Sequence, residues 1–160
     1  MIGLLYGLIV FCSGYIGYLI SDSYKMKFLY FSELNSLIEK LKVDIGFFQN
    51  KVRGVLSGFR CRSLRPTIVA YLNYLDSDRS KPLKSFICNI DFPSEEKEII
   101  ESFFDSLGAT DVDEQKKILD SYGILFEGFE SKRKIAYEKS GKMYFKLSIF
   151  IGIGLVVLLL

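Results

Sequence analysis

The residue types able to do chemistry in this chain are few. Histidine is absent from all 160 residues, which removes any Ser-His-Asp triad and any His-ligated zinc. Cys12, Cys61 and Cys88 are scattered and make no metal knuckle; an odd, unpatterned set fits reduced thiols in a cytoplasmic setting better than a disulfide framework. No Gly-x-x-x-x-Gly-Lys-Ser/Thr loop is present to cradle phosphate. Glu95, Glu96, Glu98 and Glu101 crowd one helix start, where a carboxylate pair could serve as acid and base. Solvated acids matched to the helix dipole are the plainer account. Cys61 sits between Arg60 and Arg62, whose guanidinium groups could stabilise a thiolate, yet a plain loop thiol is the simpler reading. The expectation is a protein that is not an enzyme, with no catalytic residue, cofactor or metal.

Binding chemistry is better represented. Lys51, Arg53, Arg60, Arg62 and Arg65 form a basic group that would meet anionic lipid, at about 1 kcal/mol per nearby cation, or dock an acidic partner. With no aromatic interleaving in this group and ample balancing acid elsewhere, nucleic-acid binding is not expected.

The elements that position these groups follow from the charge layout. All 21 basic and 19 acidic residues lie between Asp22 and Lys146. Residues 1–21 carry no charge and as a helix would be ~30 Å long, the thickness of a bilayer core. The uncharged rear, 147–160, would reach only ~21 Å. Lys142 and Lys146 can lift their ammonium groups to the interface, however, and bring Met143, Tyr144 and Phe145 into the apolar span. The expected organisation is a transmembrane helix over 1–21, a cytoplasmic helical bundle over 22–142 and a transmembrane helix over 143–160. Lys25 and Lys27 follow the first span, and Lys132, Arg133, Lys134, Lys139, Lys142 and Lys146 lie on the inner flank of the second. The positive-inside rule therefore puts the soluble domain in the cytoplasm and both termini outside. A cleavable signal peptide would need a basic n-region and a small-x-small cleavage site, and neither stands in residues 1–21.

Between the spans the chain reads as helix. Tyr24, Phe31, Ile38 and Ile45 recur every seven residues, with Leu34, Leu41 and Phe48 offset by three, so a long helix buries one face in a bundle or, alternatively, in a two-chain coiled coil. Residues 60–66 read as a connection, and Pro66 suits the first turn of the next helix. Residues 67–75 are apolar on several sides and are expected inside. A short third helix is expected over 82–90. The next begins with Ser94 as N-cap and acids in its first turn. Ile99, Ile100, Phe103, Phe104 and Leu107 form its buried face, and Gly108 its left-handed end. Asp111, with Glu114 three residues on, starts a final helix that keeps helical spacing through Ile118, Tyr122 and Phe126 as one rod into the membrane. Gly123 and Gly128 allow a local bend. Within the spans, Gly3-x-x-x-Gly7 is followed by Gly14, Gly17 and Ser21, so that Gly7, Gly14 and Ser21 make a small-residue seam, matched by Ser148-x-x-x-Gly152. Such seams serve close packing within the chain or between copies.

Glu101-x-x-x-x-x-Leu107-Gly108-x-x-Asp111-x-x-x-Gln115-x-x-Ile118, followed by Lys142-x-Tyr144 and a short glycine-containing apolar end, resembles the stage III sporulation protein AB family. The first helix ending in Asp44-Ile45 is similar as well. Lys51 to Val55 stands in place of that family's Pro-Leu-x-Glu-Ala element, and Leu147-Ser148 in place of Leu-Gly. The resemblance implies an all-α protein of endospore-forming bacteria, made in the mother cell. Its fold would be an antiparallel helical bundle similar to the platform subunits of type II secretion and type IV pilus machines. It also implies a place in the channel or secretion-like complex around the forespore, with other channel subunits and a cytoplasmic secretion-type ATPase as partners. Glu101, Leu107, Gly108, Asp111, Gln115 and Ile118 are then candidates for a partner interface or for helix capping. A membrane-tethered regulatory adaptor, binding a soluble enzyme through residues 51–65, is the alternative from a different class.

Overall fold

The computed structural model describes residues 2–48, 52–76, 92–109 and 111–159. Among these every regular element is helical: α1 (Ile2–Phe48), α2 (Val52–Gly58), α3 (Arg65–Asp76), α4 (Ser94–Ser106), α5 (Val112–Ala136), a π-helical turn (Tyr137–Gly141) and α6 (Lys142–Leu159). The short helix expected over 82–90, together with Cys88 and Lys51, lies outside the described residues. The chain divides into two compact units, a central one of Tyr30–Gly128 and a terminal one of Met1–Leu29 with Phe129–Leu160.

The central unit is built on the heptad stripe of α1. Phe31, Leu34, Ile38, Leu41 and Ile45 are buried, and so are Tyr30 and Leu37, each one position before an expected residue. The added row makes the stripe too broad for a two-strand seam and gives it the width of a helix inside a bundle. It is also already occupied. The Tyr30 hydroxyl shares a buried hydrogen bond of 3.0 Å with Thr67 Oγ1 on α3, and Phe31 lies 6.0 Å from the ring of Phe126 on α5. From Phe31 to Ile45 the stripe is thus covered within the chain, which leaves that stretch no seam for the two-chain coiled coil.

Aromatic rings fill the middle. Phe103 on α4 stands edge-on to Phe104, Tyr122 and Phe126 at 5.2, 5.4 and 5.3 Å, the geometry in which ring quadrupoles attract. Residues 67–75 bury one face only: Thr67, Ile68 and Tyr71 are inside while Val69 is exposed. On α4 the expected face is buried at Ile100, Phe103, Phe104 and Leu107, with Ile99 half-buried. Its start differs from expectation. Pro93 occupies the N-cap and no side chain caps the helix; Ser94 is already helical. Glu95 and Glu96 still lie in the first turn, against the dipole.

In the terminal unit the front of α1 runs beside α6, and the apolar side chains point outward. Leu4 is 80% exposed, Phe11 74%, Phe150 70% and Leu158 83%. The helical run Val112–Leu159 contains one stretch long and apolar enough to cross a membrane, with its side chains almost wholly uncovered by the chain. Helix α5 passes through Gly123 and Gly128 without a break, and departure from α geometry comes later, at Tyr137–Gly141.

Candidate functional site

The α4–α5 corner carries the residues singled out from sequence. Helix α4 ends at Ser106, and Gly108 has φ +74°, a left-handed backbone that costs glycine little. Asp111 Oδ1 accepts a 2.9 Å hydrogen bond from the Glu114 amide, and the Asp111 carbonyl accepts from the Gln115 amide at 2.9 Å. This is N-cap geometry, so the Asp111 carboxylate is engaged in starting α5. Gln115, only 2% exposed, reaches back so that its Oε1 accepts the Gly108 N–H at 2.9 Å. It thereby ties the end of one helix to the start of the next. Its Nε2 is buried with no hydrogen-bond partner among the described residues. Leu107 is buried, whereas Ile118 and Glu101 are half-buried. On the expected face of α5 Phe126 is fully covered, but at its start Leu119, not Ile118, is the fully covered residue.

The basic group is dispersed. Arg53 makes a two-pronged pair with Asp76 at the end of α3, at 2.6 and 2.9 Å. Arg60, Arg62 and Arg65 remain exposed. The loop that carries them is held from below by Glu33, a residue the sequence reading passed over. Its carboxylate accepts the backbone N–H groups of Arg62, Ser63 and Leu64 at 2.9, 2.8 and 2.7 Å. An anion there also faces the positive end of α3. Cys61 in the same loop has its thiol pushed up by burial and then by the Glu33 charge, with Arg65 opposing. The thiolate is disfavoured, as suits a plain loop thiol.

Elsewhere in this unit Lys42 on α1 bridges Glu39 and Asp120 on α5, both at 2.8 Å. Its pKa is raised, first by the hydrogen bond it donates to Asp120 and then by the one it donates to Glu39.

In the terminal unit the small residues that permit close approach are only partly those expected. A Cβ on Gly17 would fall 2.7 Å from Ser148 Cβ and 3.2 Å from Phe145 Cα; one on Gly152 would fall 2.8 Å from Ser13 Cβ and 3.3 Å from Val10 Cα. The Ser13 hydroxyl donates to the Ser148 carbonyl across this contact. Gly14 is in ordinary contact with Ile149 at 3.9 Å, and around Gly3 and Gly7 nothing lies within 4 Å. The seam therefore runs through Ser13, Gly17, Ser148 and Gly152. The spacing Ser13-x-x-x-Gly17, the twin of Ser148-x-x-x-Gly152, is the signal that would have located it.

The family model of stage III sporulation protein AB matches residues 80–160, half of the chain and the half that holds the α4–α5 corner, the π turn and α6. This chain belongs to the stage III sporulation protein AB family. Its role is accordingly in sporulation. No curated protein and no solved structure matches it. The likeness expected of the first helix lies outside the matched residues.

Proposed function

We propose that the protein is a non-enzymatic membrane platform of the sporulation channel, a secretion-like complex between mother cell and forespore, and that it couples to a cytoplasmic secretion-type ATPase. The observation that carries this reading is the course of the family-matched half. There one helical run, Val112–Leu159, starts against an aromatic core at Leu119 and Phe126 and ends in side chains most of which the chain leaves uncovered. A platform needs a folded domain, a footing in lipid and no reaction of its own.

Residues 1–21 form the second membrane segment, supported by the exposed Leu4, Leu8 and Phe11 and by the close pairing of this stretch with α6 at Gly17 and Gly152. The lysines that flank both segments on one side favour a cytoplasmic domain with both termini outside. Deleting the gene should arrest sporulation, and spores that mature normally would sink the proposal. Affinity capture of the full chain, solubilised from sporulating cells, should recover an ATPase of the secretion type. Recovery of a kinase or protease in its place would favour the adaptor reading.

A further inference from the structure

Two adjoining hollows in the terminal unit have no part in the platform reading. The first, of about 310 Å³, is lined from α1 by Ser21, Asp22 and Lys25 and from the α6 side by Tyr137, Lys142 and Lys146. It holds three ammonium groups and one carboxylate. Lys25, Lys142 and Lys146 have no ion-pair partner among the described residues. Lys142 is nonetheless held in place, with Nζ 5.6 Å from the centroid of the Tyr137 ring, a contact that orients the cation without neutralising it.

That contact depends on the π turn. Residues five apart point ~140° away from each other on an α-helix at 3.6 residues per turn, whereas a π turn brings them into line. The second hollow, about 440 Å³, shares Lys142 and Lys146, is lined also by the oppositely charged Glu138 and Lys139, and continues over the apolar side chains of Met143, Leu147 and Phe150. A cationic cleft that opens onto an apolar groove has the polarity of an amphiphile, not of a free ion.

We infer that this pair of hollows binds one anionic phospholipid of the surrounding membrane, on the premise, taken from the platform reading, that residues 143–160 lie in lipid. The phosphodiester sits among Lys25, Lys142 and Lys146, a hydroxyl-bearing headgroup such as glycerol donates to Asp22, and an acyl chain follows Met143, Leu147 and Phe150. Basic pockets between membrane helices on the cytoplasmic side are suited to such headgroups.

Native mass spectrometry of the full chain, with phosphatidylglycerol or phosphatidylcholine added to the detergent, tests this. One phosphatidylglycerol should be retained and phosphatidylcholine should not. The double variant Lys142→Gln, Lys146→Gln should lose about tenfold in affinity, Lys142→Arg with Lys146→Arg should keep it, and Lys132→Gln with Lys134→Gln, which line neither hollow, should not alter it. Unchanged helicity by circular dichroism separates lost binding from lost folding. Equal retention of the two lipids, displacement of phosphatidylglycerol by millimolar inorganic phosphate, or full binding by the glutamine variant would each overturn the assignment. Alkaline carbonate extraction of membranes from the same cells separates the two ideas: a released chain overturns the membrane reading and this inference with it, and a retained chain without lipid preference overturns this inference alone.

Discussion

In the central unit Phe103 faces three other rings, whereas in the terminal unit two helices meet backbone to backbone at Gly17 and Gly152. One unit is held by large side chains and the other by their absence. Water explains the first, because burying an aromatic ring removes a large apolar surface from solvent. On the proposed reading the two terminal helices lie in lipid, which is as apolar as leucine, so burial of apolar surface gives them no comparable gain and close van der Waals contact across small residues takes its place. Glycine accordingly differs in meaning between the seam and the rest of the chain. Gly54, Gly58 and Gly128 have open space where a Cβ would go, while Gly17 and Gly152 have none.

That contrast can be broken most forcefully at Phe103. Phe103→Ala should cost 3–5 kcal/mol, of the order known for buried aromatic truncations, read as a fall in the thermal midpoint of the full chain in detergent. Equal loss on truncating the exposed Phe11 would show that the two units do not differ as described. A smaller effect is expected from overfilling the seam. Gly17→Leu should weaken helix pairing by about 1–3 kcal/mol while Gly7→Leu leaves it unchanged. The readout is the SDS fraction at which fluorescence transfer is lost between labels on Tyr6→Cys and Leu159→Cys, positions joined by a 3.2 Å hydrogen bond, in a background without the native cysteines.

Two finer changes sharpen the account of the central unit. Asp111→Ala removes a cap and should lower stability by about 1 kcal/mol; unchanged ATPase capture by that variant would mean that capping is the whole role of the side chain. Asp120→Asn should cost under about 1 kcal/mol, since the Lys42 bridge is largely solvated. The folded state raises the Lys42 pKa, so this contribution is complete at neutral pH and is lost as pH climbs through the folded value, above the ordinary lysine range of about 10.4. Urea unfolding of wild type and variant at pH 7 and pH 11 should show the gap closing at the higher pH; a widening gap would contradict the bridge.

Features that depend on neighbours along the chain were legible in advance. The 3,4-spaced face of α4, the left-handed Gly108 and the cap at Asp111 each involve residues within about one helical turn, so spacing reveals them. Features that need two distant stretches were not. Glu33 looked like one more solvated acid beside the stripe, because the three amides it serves lie 29 to 31 residues away. Gln115 stood out in the family pattern, yet its bond to Gly108 emerged only once the corner was folded. The seam was seen in kind and misplaced in register, since small-residue spacing marks several faces of α1 and only the partner helix selects one.

By itself the sequence determined a helical protein with an uncharged run at each end, and the reason is periodicity and charge, which act locally and need no partner. Tertiary structure alone decided which glycines face a backbone, which carboxylate holds the α3 loop and where the π turn sets Lys142 over Tyr137. Those outcomes depend on which surfaces meet in space, and no spacing along one helix contains that information.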